Sequence, residues 1–337
     1  DSKHRPSITG KKSFVDEIGD VLSRRMPLYA KASDFQIDTE NMKALEVAKR
    51  ILQLHQKSGM KTKICAPITA KTVEDAISDI KNAKSADLIE LRLDFIKEID
   101  AEKVRNLILK LNKPIIVTFR PERFGGFFNG SEGKRLQILK AAIDCCADFV
   151  DIEFESEIVD ELIRNKKSTK IVASCHNFKE TPPLESLNSL YQKVKQLNPD
   201  FVKIVTTANS INDNFRIVEL LKDKNDLIAF CMGQRGEISR ILAPKFGSKI
   251  TYASLEKGKE SASGQILFRG MKNLYNFDSI NEETNVIGII GEFAENSMSK
   301  YMHNPNFKKN RLNFVYVPFK VARNELSKFM NNFRKFN

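Results

Sequence analysis

Val172-Ala-Ser-Cys-His-Asn-Phe178 is followed, after an interval of helical period, by Asp200-Phe-Val-Lys-Ile-Val-Thr-Thr207. Both are short, apolar, β-branched runs of the kind that form parallel strands buried on both faces. They carry one imidazole, His176, and one lysine, Lys203. A lysine is out of place in such a run. A buried ammonium must find a partner or lose its proton, unless its stem packs while its head reaches water. A neutral amine in a dry site is a nucleophile toward carbonyls.

Working outward from this pair, runs of the same character occur at 63–68, 88–93, 114–119, 149–154, 170–175, 201–206, 227–232 and 250–253. Between them, stretches of helical period lie at 73–83, 101–111, 134–146, 158–166, 184–197 and 212–222, and 264–274 supplies a closing helix. Eightfold strand and helix alternation predicts an α/β fold, a (β/α)8 TIM barrel. An open doubly wound sheet is the competing arrangement, since strand order is not written in one sequence.

In a barrel the chemistry gathers at the C-terminal ends of the strands, and there the unusual polar residues fall. Glu90, Arg92 and Asp94 alternate at the end of the second strand, which puts them on one face. Arg120 ends the third strand, Asp151 and Glu153 interrupt the fourth, His176 ends the fifth and Lys203 lies within the sixth. Arg240 follows the seventh; Ser261, Ser263 and Gln265 follow the eighth. A structural ion pair accounts for any one of these, but a full ring at one mouth calls for a ligand. Three arginines and a lysine imply an anion, a small carboxylate rather than a phosphate, because the loops lack a glycine-rich cradle.

Composition sets bounds. The 337 residues include 55 Lys and Arg against 43 Asp and Glu, a net charge of +12. The basic surplus is spread along the chain without an aromatic-interleaved stripe, which speaks for solvated helix faces and against nucleic acid. Five cysteines, with no Cys-x-x-Cys spacing, read as buried thiols of a reducing, cytoplasmic compartment. No apolar run approaches the ~18 residues of a membrane span, and no signal peptide is apparent. The chain begins with Asp1, as expected of a piece of a longer polypeptide.

The segment from about residue 61 to 277 resembles type I 3-dehydroquinate dehydratase. The resemblance is carried by Glu-Leu-Arg-Leu-Asp at 90–94, Thr-Phe-Arg at 118–120 with Gly125-Gly126, and Ser-Cys-His-Asn-Phe at 174–178. Val-Lys-Ile at 202–204, Met-Gly and Ile-Ser-Arg between 232 and 240, and Ser-Ala-Ser-Gly-Gln at 261–265 complete it. It implies that Lys203 forms a Schiff base with the substrate ketone and that His176 is the general acid and base, with no metal and no cofactor. It also implies that Glu90 and Arg92 contact substrate hydroxyls and support His176, that Arg120 completes the polar ring, and that Arg240, Ser261 and Gln265 hold the carboxylate. One departure stands in the third loop: many relatives have a glutamate before the Gly-Gly pair, where this chain has Phe124, with Glu122 nearby.

The ends resemble two other enzymes. Residues 1–57 are similar to the C-terminal part of shikimate kinase, through Arg5-Pro6, Arg25-Met-Pro-Leu-Tyr29 and a strand at 34–38, but the nucleotide phosphate loop is absent. Residues 281–337 are similar to the start of shikimate dehydrogenase, through Val-Ile-Gly-Ile-Ile-Gly at 286–291, Ser297, Ser299, His303-Asn304 and Val-Tyr-Val-Pro-Phe at 315–319, with Asn296 where relatives usually have histidine. Two serines capping a helix would account for part of this. Neither end carries a complete ATP or NADP site, and each is expected to lack the layers that would bury its apolar face. With the barrel at 58–280, the order matches a pentafunctional AROM polypeptide, which implies a homodimer within a larger assembly. A class I aldolase and a catalytically dead scaffold barrel are the other readings.

Overall fold

The computed structural model describes residues 61–336 and, ahead of them, 23, 25–27, 29, 37–40 and 42–48. The chain divides into two compact units, Asp1–Gly59 and Met60–Asn337. In the first, residues 25–27, 29 and 44–48 are helical. Arg5, Pro6 and residues 34–36, on which much of the kinase resemblance rests, lie outside the described residues.

The second unit opens with eight strands: β1 (Lys63–Ile68), β2 (Leu88–Arg92), β3 (Ile115–Thr118), β4 (Phe149–Glu153), β5 (Lys170–His176), β6 (Phe201–Thr207), β7 (Leu227–Met232) and β8 (Ile250–Tyr252). They pair side by side in the order β7-β6-β5-β4-β3-β2-β1-β8, every pairing parallel. The ring closes between β7 and β8, where the Lys249 N–H donates to the Leu227 carbonyl at 3.2 Å. An open doubly wound sheet is thereby excluded.

Between strands run α1 (Val73–Asn82), α2 (Ala101–Ile108), α3 (Glu132–Asp144), α4 (Val159–Arg164), α5 (Leu184–Lys195), α6 (Asp213–Leu221) and the short α7 (Glu237–Ile241). The first three begin where the sequence supplies a side-chain acceptor: Thr72, Asp100 and Ser131 each accept the backbone N–H three residues on. The strands are buried almost throughout, so period two decides what enters the barrel. Leu88, Ile116, Phe149, Val172, Phe201 and Ile228 form an apolar floor. Two residues further along each of β2 to β6 the inward position turns polar: Glu90, Thr118, Asp151, Ser174 and Lys203.

Two local expectations are corrected. The closing helix does not span 264–274; residues 268–274 are helical, ending in a π-helical turn at Gly270–Leu274. Gly264 has φ +74° and lies so close to Gly233 that a Cβ would sit 2.2 Å from the Gly233 carbonyl oxygen. The Ser254 N–H donates to Ile266 O at 3.0 Å and the Phe268 N–H to Ser254 O at 2.7 Å. That stretch is therefore a loop tied back over the mouth. The second correction concerns the cysteines: Cys146 is exposed, because α3 stops at Asp144 and the chain turns left-handed at Cys146, φ 58°.

The C-terminal segment is built of β9 (Asn285–Ile287), β10 (Ile290–Gly291), α8 (Ser299–Lys309), β11 (Phe314–Tyr316), β12 (Phe319–Lys320) and α9 (Leu326–Phe333). β9 pairs with β11 and β10 with β12, both parallel. Its apolar face is not left uncovered, as the sequence suggested. Phe336 stacks on Phe215 of α6 at 4.6 Å and meets Phe246 at 5.2 Å, with Phe319 and Phe329 buried beside it. Phe215 and Phe246 of the barrel thus supply the missing layer for the segment's own phenylalanines.

Candidate active site

Lys203, His176, Glu90, Arg92, Arg120, Arg240, Ser261 and Gln265 all line one cavity at the C-terminal end of the barrel, with about 450 Å³ of empty space including the part open to solvent. Each owes its place to strand parity or to the loop that follows a strand.

Lys203 is buried, and of the options open to such an ammonium it has found partners. Its Nζ donates to Asp151 Oδ2 at 2.9 Å and to the Tyr252 hydroxyl at 2.9 Å, and stands 3.7 Å from Glu90 Oε1. Asp151 also accepts from Ser174 Oγ at 2.8 Å and Arg120 Nη2 at 3.0 Å. Burial pushes the Asp151 carboxyl up, but Lys203 and Arg120 outweigh it and hold it far below the usual carboxylate range. Tyr252 is pushed the other way: burial, then Glu90, Cys65 and Asp151, raise its hydroxyl well above its ordinary value.

On the adjacent strand, Ser174 is the register partner of Lys203, and His176 lies one inward position further along. Its Nε2 faces Arg120 Nη1 at 3.2 Å. A guanidinium only donates, so Nε2 carries the lone pair and Nδ1 the proton. Burial, then the Arg120 and Lys203 cations, hold this imidazole well below its ordinary pKa. It is a neutral base at pH 7. Burial opposes the charge of Arg120 as well, but Asp151 and Glu153 overcome that and raise its pKa. Glu90 was expected to support His176; here it accepts from Thr118 Oγ1 at 2.9 Å and faces Lys203 instead.

Arg92 is locked to Asp94 by a fork, Nε to Oδ1 at 2.9 Å and Nη2 to Oδ2 at 2.7 Å. Arg240 has no such partner. Its guanidinium is buried over the Phe230 ring at 4.3 Å, and Nε, Nη1 and Nη2 have no hydrogen-bond partner among the described residues. Burial lowers it to about 10, which leaves it a cation at neutral pH. An unsatisfied buried fork of donors is suited to a carboxylate. Ser261 and Gln265 bracket each other across the loop, Gln265 Nε2 to Ser261 Oγ at 2.9 Å and the Ser261 N–H to Gln265 Oε1 at 3.1 Å. Beside Phe124, Gly125 lines the cavity and Glu122 is exposed; Phe124 lies 5.1 Å from the Arg123 guanidinium. Among the described residues no group of three or more His, Cys, Asp and Glu could hold a metal ion.

Sequence reasoning passed over Tyr252 and Arg135. Tyr252 lies two residues after Ile250, at an inward position of the last strand. Arg135 precedes Ile138, Leu139 and Ala142 at helical spacing, a charge on an apolar stripe, and it is fully buried.

Fold and site together define a barrel enzyme with its chemistry at the C-terminal strand ends. The type I 3-dehydroquinase family model matches residues 64–282, and the chain belongs to that family. A model of the shikimate dehydrogenase substrate-binding domain matches 289–337. The chain is 37% identical over 261 residues to the chloroplastic bifunctional 3-dehydroquinate dehydratase/shikimate dehydrogenase of Arabidopsis thaliana, covering 75% of this chain and 43% of the relative. It is 38% identical over 211 residues to the 3-dehydroquinate dehydratase of Pyrococcus abyssi, covering 62% of this chain and 95% of the relative. The crystal structure of 3-dehydroquinate dehydratase from Geobacillus kaustophilus superposes with a TM-score of 0.59 at 27% identity, covering 63% of this chain and 88% of that one.

Proposed function

We propose that the barrel removes water from 3-dehydroquinate to give 3-dehydroshikimate through an imine on Lys203. The observation that carries this is a buried lysine and a neutral imidazole on neighbouring strands, in one cavity with a guanidinium that has no hydrogen-bond partner among the described residues.

The substrate carboxylate pairs with Arg240, beside Ser261 and Gln265, and this fixes the ring in the cavity. Lys203 gives up one ammonium proton and adds to the ketone carbon; that proton and one from the adding nitrogen leave with the ketone oxygen as water, which gives a cationic imine. Asp151 and the Tyr252 hydroxyl stand where this cation forms. The iminium withdraws electrons from the neighbouring carbon, and the Nε2 lone pair of His176 takes its proton. Imidazolium then protonates the leaving hydroxyl, which departs as water while the double bond forms. Hydrolysis of the imine returns the ketone and the free lysine, so the net change is one water lost. Arg92 and Glu90 face the substrate hydroxyls. No cofactor takes part.

The family's place in the shikimate pathway makes the C-terminal segment a neighbour of the next step. We further read residues 1–57 as the end of a shikimate kinase-like domain, 58–280 as the dehydratase and 281–337 as the start of a shikimate dehydrogenase-like domain, within a cytoplasmic, dimeric AROM polypeptide. That reading is supported by the order of the sequence resemblances and by the dehydrogenase-type match at 289–337. Among the described residues no helix is long and apolar enough to cross a membrane.

The test is direct. 3-Dehydroquinate should give the ultraviolet absorbance of a conjugated enone, and borohydride added during turnover should leave a mass increment on the peptide containing Lys203. An increment on Lys257 or Lys259 instead, or no absorbance change, refutes the assignment.

A further inference from the structure

Arg135 is the largest charged side chain with no exposure at all, and it stands outside the barrel wall on α3, away from the cavity. Its donors run in three directions. Nε donates to the Phe119 carbonyl at 2.8 Å, Nη1 to Ser156 Oγ at 3.0 Å and to Glu132 Oε2 at 3.2 Å, and Nη2 pairs with Glu153 Oε2. Two of these contacts fix the same neighbour. Phe119 immediately precedes Arg120, and the other oxygen of Glu153 accepts from Arg120 Nε at 3.0 Å. The backbone and the guanidinium of Arg120 are thus both anchored by Arg135. Arg120 in turn spends Nη1 on His176 at 3.2 Å and Nη2 on Asp151 at 3.0 Å, and Asp151 holds Lys203 at 2.9 Å.

We propose that Arg135 is a positioning residue for the reaction, holding the Phe119 carbonyl and Glu153 so that Arg120 is aimed at His176 and Asp151. The proposal deepens the functional reading above and rests on it. A buried ion-pair chain of alternating sign, Arg135, Glu153, Arg120, Asp151, Lys203, is costly to desolvate and has no stability advantage over an apolar filling. Its value is geometric. Removing the outermost cation leaves Glu153 with Arg120 as its one ionic partner among the described residues and draws Arg120 toward it. The groups facing His176 are Arg92 from β2, Arg120 just after β3, Asp151 from β4 and Lys203 from β6. Less positive charge then reaches the imidazole, and its protonation becomes easier.

The experiment is an NMR titration of His176, one of four histidines and assignable by its loss in His176→Asn, set beside the pH profile of kcat. In Arg135→Met the His176 titration and the acidic limb of kcat should both move to higher pH, by on the order of one pH unit, the scale of a unit charge roughly 10 Å away at an effective dielectric near 20. Arg135→Lys keeps the charge without the three-way fork; its titration should stay near the parent's while kcat falls several-fold. A merely structural arginine would lower the melting temperature and leave the titration where it was, and that result overturns the proposal. If Arg135→Met does not fold, Glu132→Gln serves: freeing Arg135 of one anion should move the titration to lower pH, and an unmoved titration overturns the proposal equally. Parent protein that does not dehydrate 3-dehydroquinate would refute the functional reading, and the titration still judges the network.

Discussion

Burial first, and then the cations of Arg120, Lys203 and Arg92 against the one anion of Asp151, keep the His176 ring neutral until the solution is well into the acid range. The base form is therefore the resting form. Activity that depends on it should hold through mildly acid pH and fall only well below the ordinary histidine range near 6.5. His176→Ala leaves Lys203 and its partners in place, so the imine should still be trapped by borohydride while turnover drops at least ~100-fold; near-normal turnover would remove the imidazole from the mechanism. Arg240 makes the complementary case. Arg240→Lys keeps a cation but loses the fork onto a carboxylate, so KM should rise roughly 10- to 100-fold with kcat largely kept. A collapsed kcat at unchanged KM would give Arg240 a part in the chemistry itself. At this scale the sequence was informative wherever a polar group interrupted an apolar run, as Lys203 and Asp151 do. It was silent on Tyr252 because an aromatic residue in a strand looks like core whether or not its hydroxyl has a partner.

The eight strands were legible because each is a short β-branched run flanked by turn residues, and the six helices from α1 to α6 because their apolar spacing is regular. The loop after β8 was not. Its sequence tolerates a helix, and what forbids one is a contact far away in the chain, the approach of Gly264 to Gly233. Nor could the sequence tell that Glu237, at the start of α7, is held in a partly buried place. Burial pushes its carboxyl up to about 7, with Glu295 adding to the rise, while Lys300 and Arg240 pull against it. The sign follows. In the unfolded chain this carboxyl ionises from about 4.5, whereas the folded protein keeps its proton to about 7. Stability from this group is complete below 4.5 and is lost as pH rises through 7. Glu237→Gln should raise the melting temperature by about 2–4 °C at pH 8 and leave it unchanged near pH 4. Equal effects at both pH values would show that packing, not ionisation, governs the site.

Across the molecule, the barrel and the C-terminal segment share one hydrophobic core. Val286, Val315, Phe319, Phe329 and Phe336 belong to the same buried cluster as Ile64, Leu93 and Phe215. Polar ties run beside it: Arg235 to Glu325 at 3.3 Å and Lys320 to Gln234 at 3.0 Å. Phe336→Ala should therefore destabilise the barrel as well as the segment, in one calorimetric transition lowered by roughly 5–10 °C. Two separated transitions, only one of them shifted, would show that the two parts unfold independently. This docking was not legible in the sequence, since phenylalanines in a segment that looks incomplete say nothing about where they are buried.

The closure of the ring brings Lys63 of the first strand against Ile250 of the last. Parallel pairing between such distant partners cannot form until β8 has left the ribosome, because nothing earlier in the chain offers β1 its second neighbour. Through most of synthesis β1 presents an open, apolar edge, and edges of that kind are where nascent chains pair wrongly with one another. The arrangement that converges six strand ends on one cavity thus also sets the timetable of assembly: a late, single closing event, slow by topology, for which a cell must keep the growing chain apart from its copies.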